Sequence, residues 1–147
     1  MGSKHTLPVA GIIILRKGNK VLLTRRYNTG YEDGKYTLPG GHVEKGEEIK
    51  VAMAREAKED VGVDLNPNDL VITHVFDRKV NDDVEYIDFV VETDKWQGTP
   101  EIMEKDQCDD IIWADIDKIP DNTIQFNKDV LTKKYDFYIP YGWQDER

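Results

Sequence analysis

Glu56, Glu59 and Asp60 sit three and four positions apart in the stretch "GGHVEKGEEIKVAMAREAKEDVGV", which runs from Gly40 to Val63. That spacing brings side chains onto one face of a helix. From about Glu48 to Val61 the residues are good helix formers with no Gly or Pro among them, and Gly62 supplies a stop, so one helix is predicted there. On such a helix Met53, Ala57 and Val61 gather on one side and the three carboxylates on another. Ala52 lies one turn before Glu56, where a small residue would leave room above the acids. Like charges one turn apart destabilise a helix by about 0.2–0.5 kcal/mol per pair, so such a face needs a reason. Hard divalent cations provide one. Mg²⁺ takes oxygen ligands and usually completes its octahedron with waters and phosphate oxygens. An isolated Glu-x-x-Glu-Asp pattern is as a rule only a solvated acidic face. Two features set this one apart: the face is purely acidic where a solvated helix would usually interleave lysines, and the glycines before the helix let a backbone or a ligand come close.

The flanking sequence supplies elements that could position this face. "VAGIIIL" (9–15) and "KVLLTRR" (20–26) read as strands joined by a turn at Gly18 and Asn19. "YNTGYEDGKY" (27–36) reads as a loop rich in Gly, Asn and Asp, unusual for its three tyrosines. "LVITHVF" (70–76) and "VEYIDFVVE" (84–92) read as two strands about a polar turn at 81–83, and "DIIWADI" (110–116) as another. "FNKDVLTKKYDF" (126–137) has apolar residues at helical spacing and is expected to close the domain as a helix. Strands and helices that do not alternate strictly indicate an α+β fold or a mixed sandwich.

Bulk properties narrow the function classes. The 147 residues predict a single domain over 1–147, with a hydrophobic fraction of 39% adequate for a core. A net charge of −9 argues against a nucleic-acid polymer or an anionic membrane as partner, because phosphates would be repelled unless a metal intervened. Any polyanionic ligand is therefore expected to be small and metal-bridged. The single cysteine, Cys108, cannot form an intrachain disulfide, and no stretch resembles a membrane span or a signal-peptide core, which points to the cytoplasm. Gly2 and Thr6 match a myristoylation pattern, but one so permissive that chance is the better reading.

Gly41, five residues, Glu47, seven residues and then "REAKEDVGV" (55–63) resemble the signature of the Nudix hydrolase superfamily, Gly-x5-Glu-x7-Arg-Glu-U-x-Glu-Glu-x-Gly-U with U aliphatic. "LPGG" (38–41), "VLLTRR" (21–26) and "WADIDKIP" (113–120) are similar to Nudix proteins too. Asp60 departs from the pattern by standing where the second glutamate of the pair is usual, and Ala57 by replacing a larger aliphatic residue. The resemblance implies an αβα sandwich with a mixed β-sheet, the signature forming a loop, a helix and a loop. It implies Mg²⁺ or Mn²⁺, with Glu56, Glu59, Asp60 and Gly41 at metal-binding positions and Arg55 with Glu47 as the ion pair that orients them. It implies cleavage of nucleoside diphosphates linked to another group. Nudix proteins also often place a further acid, as metal ligand or base, in the late loop that here carries Glu104 and Asp106; an acidic surface loop is the alternative.

Weaker signals surround this core. Arg25 and Arg26 end a strand leading toward the glycine loop, and since side chains alternate, only one of them is expected to face the site, as a phosphate-binding arginine or equally as a solvated one. His42 and Gly40 could touch substrate, although decoration of the loop is the favoured reading of His42. Tyr27, Tyr31, Tyr36 and Trp96 could stack on a base or pack as core or rim. The expected activity is a pyrophosphohydrolase of nucleoside triphosphates, damaged ones included, in a monomer or homodimer. A nucleoside diphosphate sugar or dinucleotide hydrolase, and a silent nucleotide-binding domain, are the alternatives.

Overall fold

In the computed structural model the described residues are 4–143. Gly2, of the myristoylation pattern, lies outside them. The chain forms β1 (Val9–Lys17), β2 (Lys20–Arg26), β3 (Tyr36–Thr37), β4 (Gly40–His42), α1 (Ile49–Val61), a 3₁₀ turn (Pro67–Asp69), β5 (Val71–Asn81), β6 (Val84–Thr93), β7 (Cys108–Asp115), α2 (Gln125–Thr132) and β8 (Tyr138–Tyr141). The strands run in the order β3-β2-β1-β6-β5-β8, with β4 added on β1 and β7 on β2. Pairs β1–β6 and β5–β8 are parallel and the remainder antiparallel, so the sheet is mixed as expected.

Alternation along the central strands explains the layers. Ile13 and Leu15 of β1, Leu22 of β2 and Val91 of β6 turn to one side, where they meet Ala52, Met53, Ala57 and Val61 of α1. Ile14, Val21, Leu23 and Val90 turn to the other and meet Val130 and Leu131 of α2. Each fully buried aliphatic side chain contributes about 1.5–3 kcal/mol. The helices thus cover opposite faces and the fold is an αβα sandwich.

β1 changes partner along its length, and this opens the molecule. It meets β2 only at Arg16 and Lys17, whereas Ala10 to Ile12 pair with β4. The far end of β2 and the near end of β1 are therefore separated, and a cleft opens between them.

Three expectations need correction. Ala52 does not open space above the acids; it is wholly buried in the core with Met53. The closing helix ends at Thr132, because Lys133 turns extended (φ −98°, ψ 153°) and 138–141 pairs with β5 instead. Tyr135, whose spacing had suggested helix, packs edge-on against Phe76 at 5.3 Å. Finally, the short strands β3 and β4 lie where a loop and a glycine turn were expected.

Candidate active site

α1 begins as its sequence suggests, with the Glu48 side chain accepting from the Lys50 N–H, and it ends where Gly62 takes a left-handed conformation (φ 75°). Arg55 projects from its middle turn and gathers the acids. Its Nε and Nη2 donate to both oxygens of Glu47 at 2.7 and 2.9 Å, Nη2 also reaches the His42 carbonyl at 3.1 Å, and Nη1 donates to Glu56 at 3.0 Å and Glu59 at 3.1 Å. The Glu44 N–H donates to Glu47 as well, at 3.0 Å. Together these bonds hold the Glu47 carboxyl down at about 2, the Arg55 bond contributing most. The same bonds push Arg55 further up its basic range. One guanidinium thus ties the loop after β4 to the acidic face of α1.

The acids divide by environment. Glu59 stays exposed. Glu56 is half-buried, and desolvation raises its carboxyl against the pull of Arg55. Asp60 is pushed up to about 7, chiefly by burial and then by the charges of Glu56 and Glu104, against a 3.1 Å hydrogen bond donated by the Gly40 N–H. Glu104 arrives from the loop between β6 and β7. Both Asp60 and Glu104 line the cleft, whereas Asp106 does not.

The resemblance implies a divalent cation here, and the residues fit one. Gly41 leaves a cradle filled by the Glu56 carboxylate, since a Cβ there would overlap it. Glu56, Asp60 and Glu104 bring like charges together: Glu104 raises the pKa of Glu56, and Glu56 and Glu104 both raise that of Asp60. Among the described residues no three acids, histidines or cysteines enclose an ion by themselves. An oxygen-ligand site left partly open in this way suits Mg²⁺, which keeps waters and shares phosphate oxygens.

The cleft measures about 830 Å³. Arg25 and Arg26 both line it, so the expectation that only one would face the site is not met. The cause is a register shift between them, where β2 meets β7 irregularly and alternation breaks. Arg25 donates to Asp109 at 2.7 Å, whereas Arg26 donates to the Tyr31 carbonyl and Thr29 and makes no salt bridge among the described residues. Gly40, Gly41, His42 and Tyr31 also line the cleft, and the His42 ring stacks on Tyr86 at 5.7 Å. Tyr36 does not: its ring is buried in the core on the α2 side and its hydroxyl donates to Asp110. Trp96 stacks on Trp113 at 5.8 Å beside the core on the α1 side, and Tyr27 is exposed outside the cleft.

Sequence reasoning passed over Arg78 and Asp88, which line the cleft from β5 and β6. The available signal was an aspartate inside the apolar run "YIDFVV" (86–91), where an unpaired charge would be costly to bury.

A family profile for the NUDIX domain matches residues 5–134. The ADP-ribose pyrophosphatase of Methanocaldococcus jannaschii is 46% identical over 50 residues, covering 34% of this chain and 29% of that protein. The 8-oxo-dGTP diphosphatase of Escherichia coli K12 is 37% identical over 57 residues, covering 39% and 44%. The matches thus span less than half the length of either relative. In three dimensions a MutT NUDIX hydrolase from Burkholderia pseudomallei superposes with a TM-score of 0.79 at 22% identity, covering 89% of this chain and all of that one. A MutT protein from Methanosarcina mazei gives 0.72 at 19% identity, covering 88% and 94%.

Proposed function

Because this chain belongs to the NUDIX domain family, we propose that it is a metal-dependent pyrophosphohydrolase of nucleoside triphosphates, damaged ones included. The observation that carries this reading is the convergence of Glu56, Asp60 and Glu104 beside the Gly41 cradle at the edge of the cleft. A bound Mg²⁺ or Mn²⁺ would neutralise diphosphate charge and lower the pKa of a coordinated water. Glu56 and Asp60 would hold it, with Glu59 and the Gly41 backbone as further oxygen donors. Arg55 fixes Glu56 and Glu59 by charge-assisted bonds and so keeps the acids from splaying apart. Glu104, exposed on its loop beside Asp60, would accept the proton of the attacking water. Arg26, which makes no salt bridge among the described residues, suits a phosphate oxygen.

With a triphosphate the products should be the monophosphate and pyrophosphate, since a diphosphate held at the acids presents an inner phosphorus to water. Chelator should abolish turnover and Mg²⁺ or Mn²⁺ restore it; phosphate and the nucleoside diphosphate as main products would overturn the reading. Glu104→Gln should lower kcat by about a hundredfold, while Asp106→Asn, outside the cleft, should change it little. The M. jannaschii relative's name favours a second reading, a diphosphate linked to a sugar. ADP-ribose cleaved faster than any triphosphate would select it.

A further inference from the structure

We propose that Arg78 selects the base of the nucleotide, accepting those with two adjacent hydrogen-bond acceptors on one edge, as guanine has at O6 and N7 and cytosine at O2 and N3. This rests on the reading of the cleft as a nucleotide site. Arg78 lies on β5 opposite Tyr86 of β6, and its guanidinium carbon sits 4.7 Å from the ring centroid of Tyr86 and 4.7 Å from that of Phe126. The rings fix the plane of the guanidinium. Its Nε donates to Asp88 Oδ2 at 2.6 Å, and Nη2 approaches Oδ1 at 3.4 Å. Asp88 is only 2% exposed, so it cannot move away and the rotamer is locked.

Once one side of the fork is committed to Asp88, the edge formed by Nη1 and the outer hydrogen of Nη2 remains. It has no partner among the described residues, and a fifth of the side chain is open. That edge offers two parallel N–H donors, the geometry that reads paired acceptors on a base. A buried ion pair is a poor device for stability, since apolar replacements often do as well. Its presence in a cleft wall is better explained by what it positions.

Charge separates the roles of the cleft arginines. Arg78 is neutralised by Asp88, so it exerts little attraction on phosphate but keeps directional donors. Arg26 makes no direct carboxylate bridge among the described residues, and it reaches Asp33 only through Thr29. Phosphates therefore belong beside Arg26 and the acids, and the base beside Arg78. Adenine and uracil place a donor next to each acceptor on the edges concerned, and would leave one N–H of Arg78 facing another. 8-Oxoguanine carries a hydrogen on N7 and loses the pair in the same way, so this wall favours the undamaged base.

The test is equilibrium binding of nucleoside monophosphates in the presence of Mg²⁺, which reads the base without turnover because a monophosphate has no anhydride to cleave. GMP and CMP should bind about tenfold or more tighter than AMP and UMP. 7-Deaza-GMP, lacking the N7 acceptor, and 8-oxo-GMP should both fall to the AMP level. Arg78→Lys keeps the charge beside Asp88 but loses the fork, and should reduce the spread among the four bases to within about twofold. Equal binding of all four, an undiminished preference in Arg78→Lys, 7-deaza-GMP as tight as GMP, or no binding at all would each overturn the proposal. The deaza comparison uses the unaltered protein and stands even if the variant misfolds. Base preference in binding with no hydrolysis of any nucleotide would leave Arg78 in place and remove the pyrophosphohydrolase instead.

Discussion

Asp60 is one methylene shorter than the glutamate usual at its position, and burial has more influence on it than helix repulsion does. The sequence pattern suggested that crowding of like charges on α1 would dominate. Instead desolvation is the first cause of its raised pKa, with Glu56 and Glu104 adding to it. Asp60→Asn keeps an oxygen for the Gly40 N–H and removes a charge that burial opposes, so the metal-free variant should melt at or above the parent. Activity should move the other way. kcat/KM should fall by about a hundredfold or more in the amide, while Asp60→Glu stays within about tenfold, because water can fill the difference in reach at a Mg²⁺ site. Melts in chelator paired with kcat/KM over a metal titration decide it, and an amide variant as active as the parent would make Asp60 a bystander.

At the scale of elements, what could be read from sequence was whatever local pattern determines. α1, its glycine stop and the ends of β2 follow from spacing and turn residues, and Glu56, Glu59 and Asp60 could be placed together because they share one helix. What eluded it depends on pairing between distant segments: β8 docking on β5, the short β4 seated on β1, and the irregularity that lets both Arg25 and Arg26 line the cleft. Arg78 and Asp88 belong here too, since only the β5–β6 register brings them together. Element contacts also make Gly41 testable. It has no need for an unusual backbone angle; what it supplies is the absence of a Cβ beneath Glu56. Gly41→Ala should therefore displace Glu56 and lower kcat/KM by about tenfold to a hundredfold, while β4 still pairs with β1. Gly46→Ala, where nothing lies within 4 Å, probes the strain of a positive φ (80°) alone and should affect stability more than activity. Equal losses of activity in both would argue that the cradle is irrelevant.

For the whole molecule, a net charge of −9 makes an anionic substrate unwelcome unless it arrives with a cation, and the acids of the site add to that burden before metal binds. Stability should record this as a pH dependence. Asp60 ionises at about 7 in the fold against 3.8 when unperturbed, so the native state holds its proton longer than the unfolded chain does. Stability from that proton is complete below the lower value and is lost as pH rises through the higher one. Glu56 shifts in the same direction. Glu47 works oppositely, being held down at about 2, but its contribution disappears only in acid below the ordinary carboxylate range, outside the window from 5 to 8. The Tm of the metal-free protein should therefore fall between pH 5 and pH 8, and Asp60→Asn should flatten that fall. Adding Mg²⁺ should reverse the trend, because ligand carboxylates must be deprotonated to bind and affinity then rises with pH. At about a hundredfold excess over the dissociation constant the gain is about 2.7 kcal/mol, worth about 5–10 °C in Tm for a chain of this size. Thermal melts with and without Mg²⁺ across that range should show the increment growing from pH 5 to pH 8 in the parent and shrinking in Asp60→Asn. An increment that is the same at both ends of the range, or unchanged by the amide, would mean that the cation binds away from Asp60.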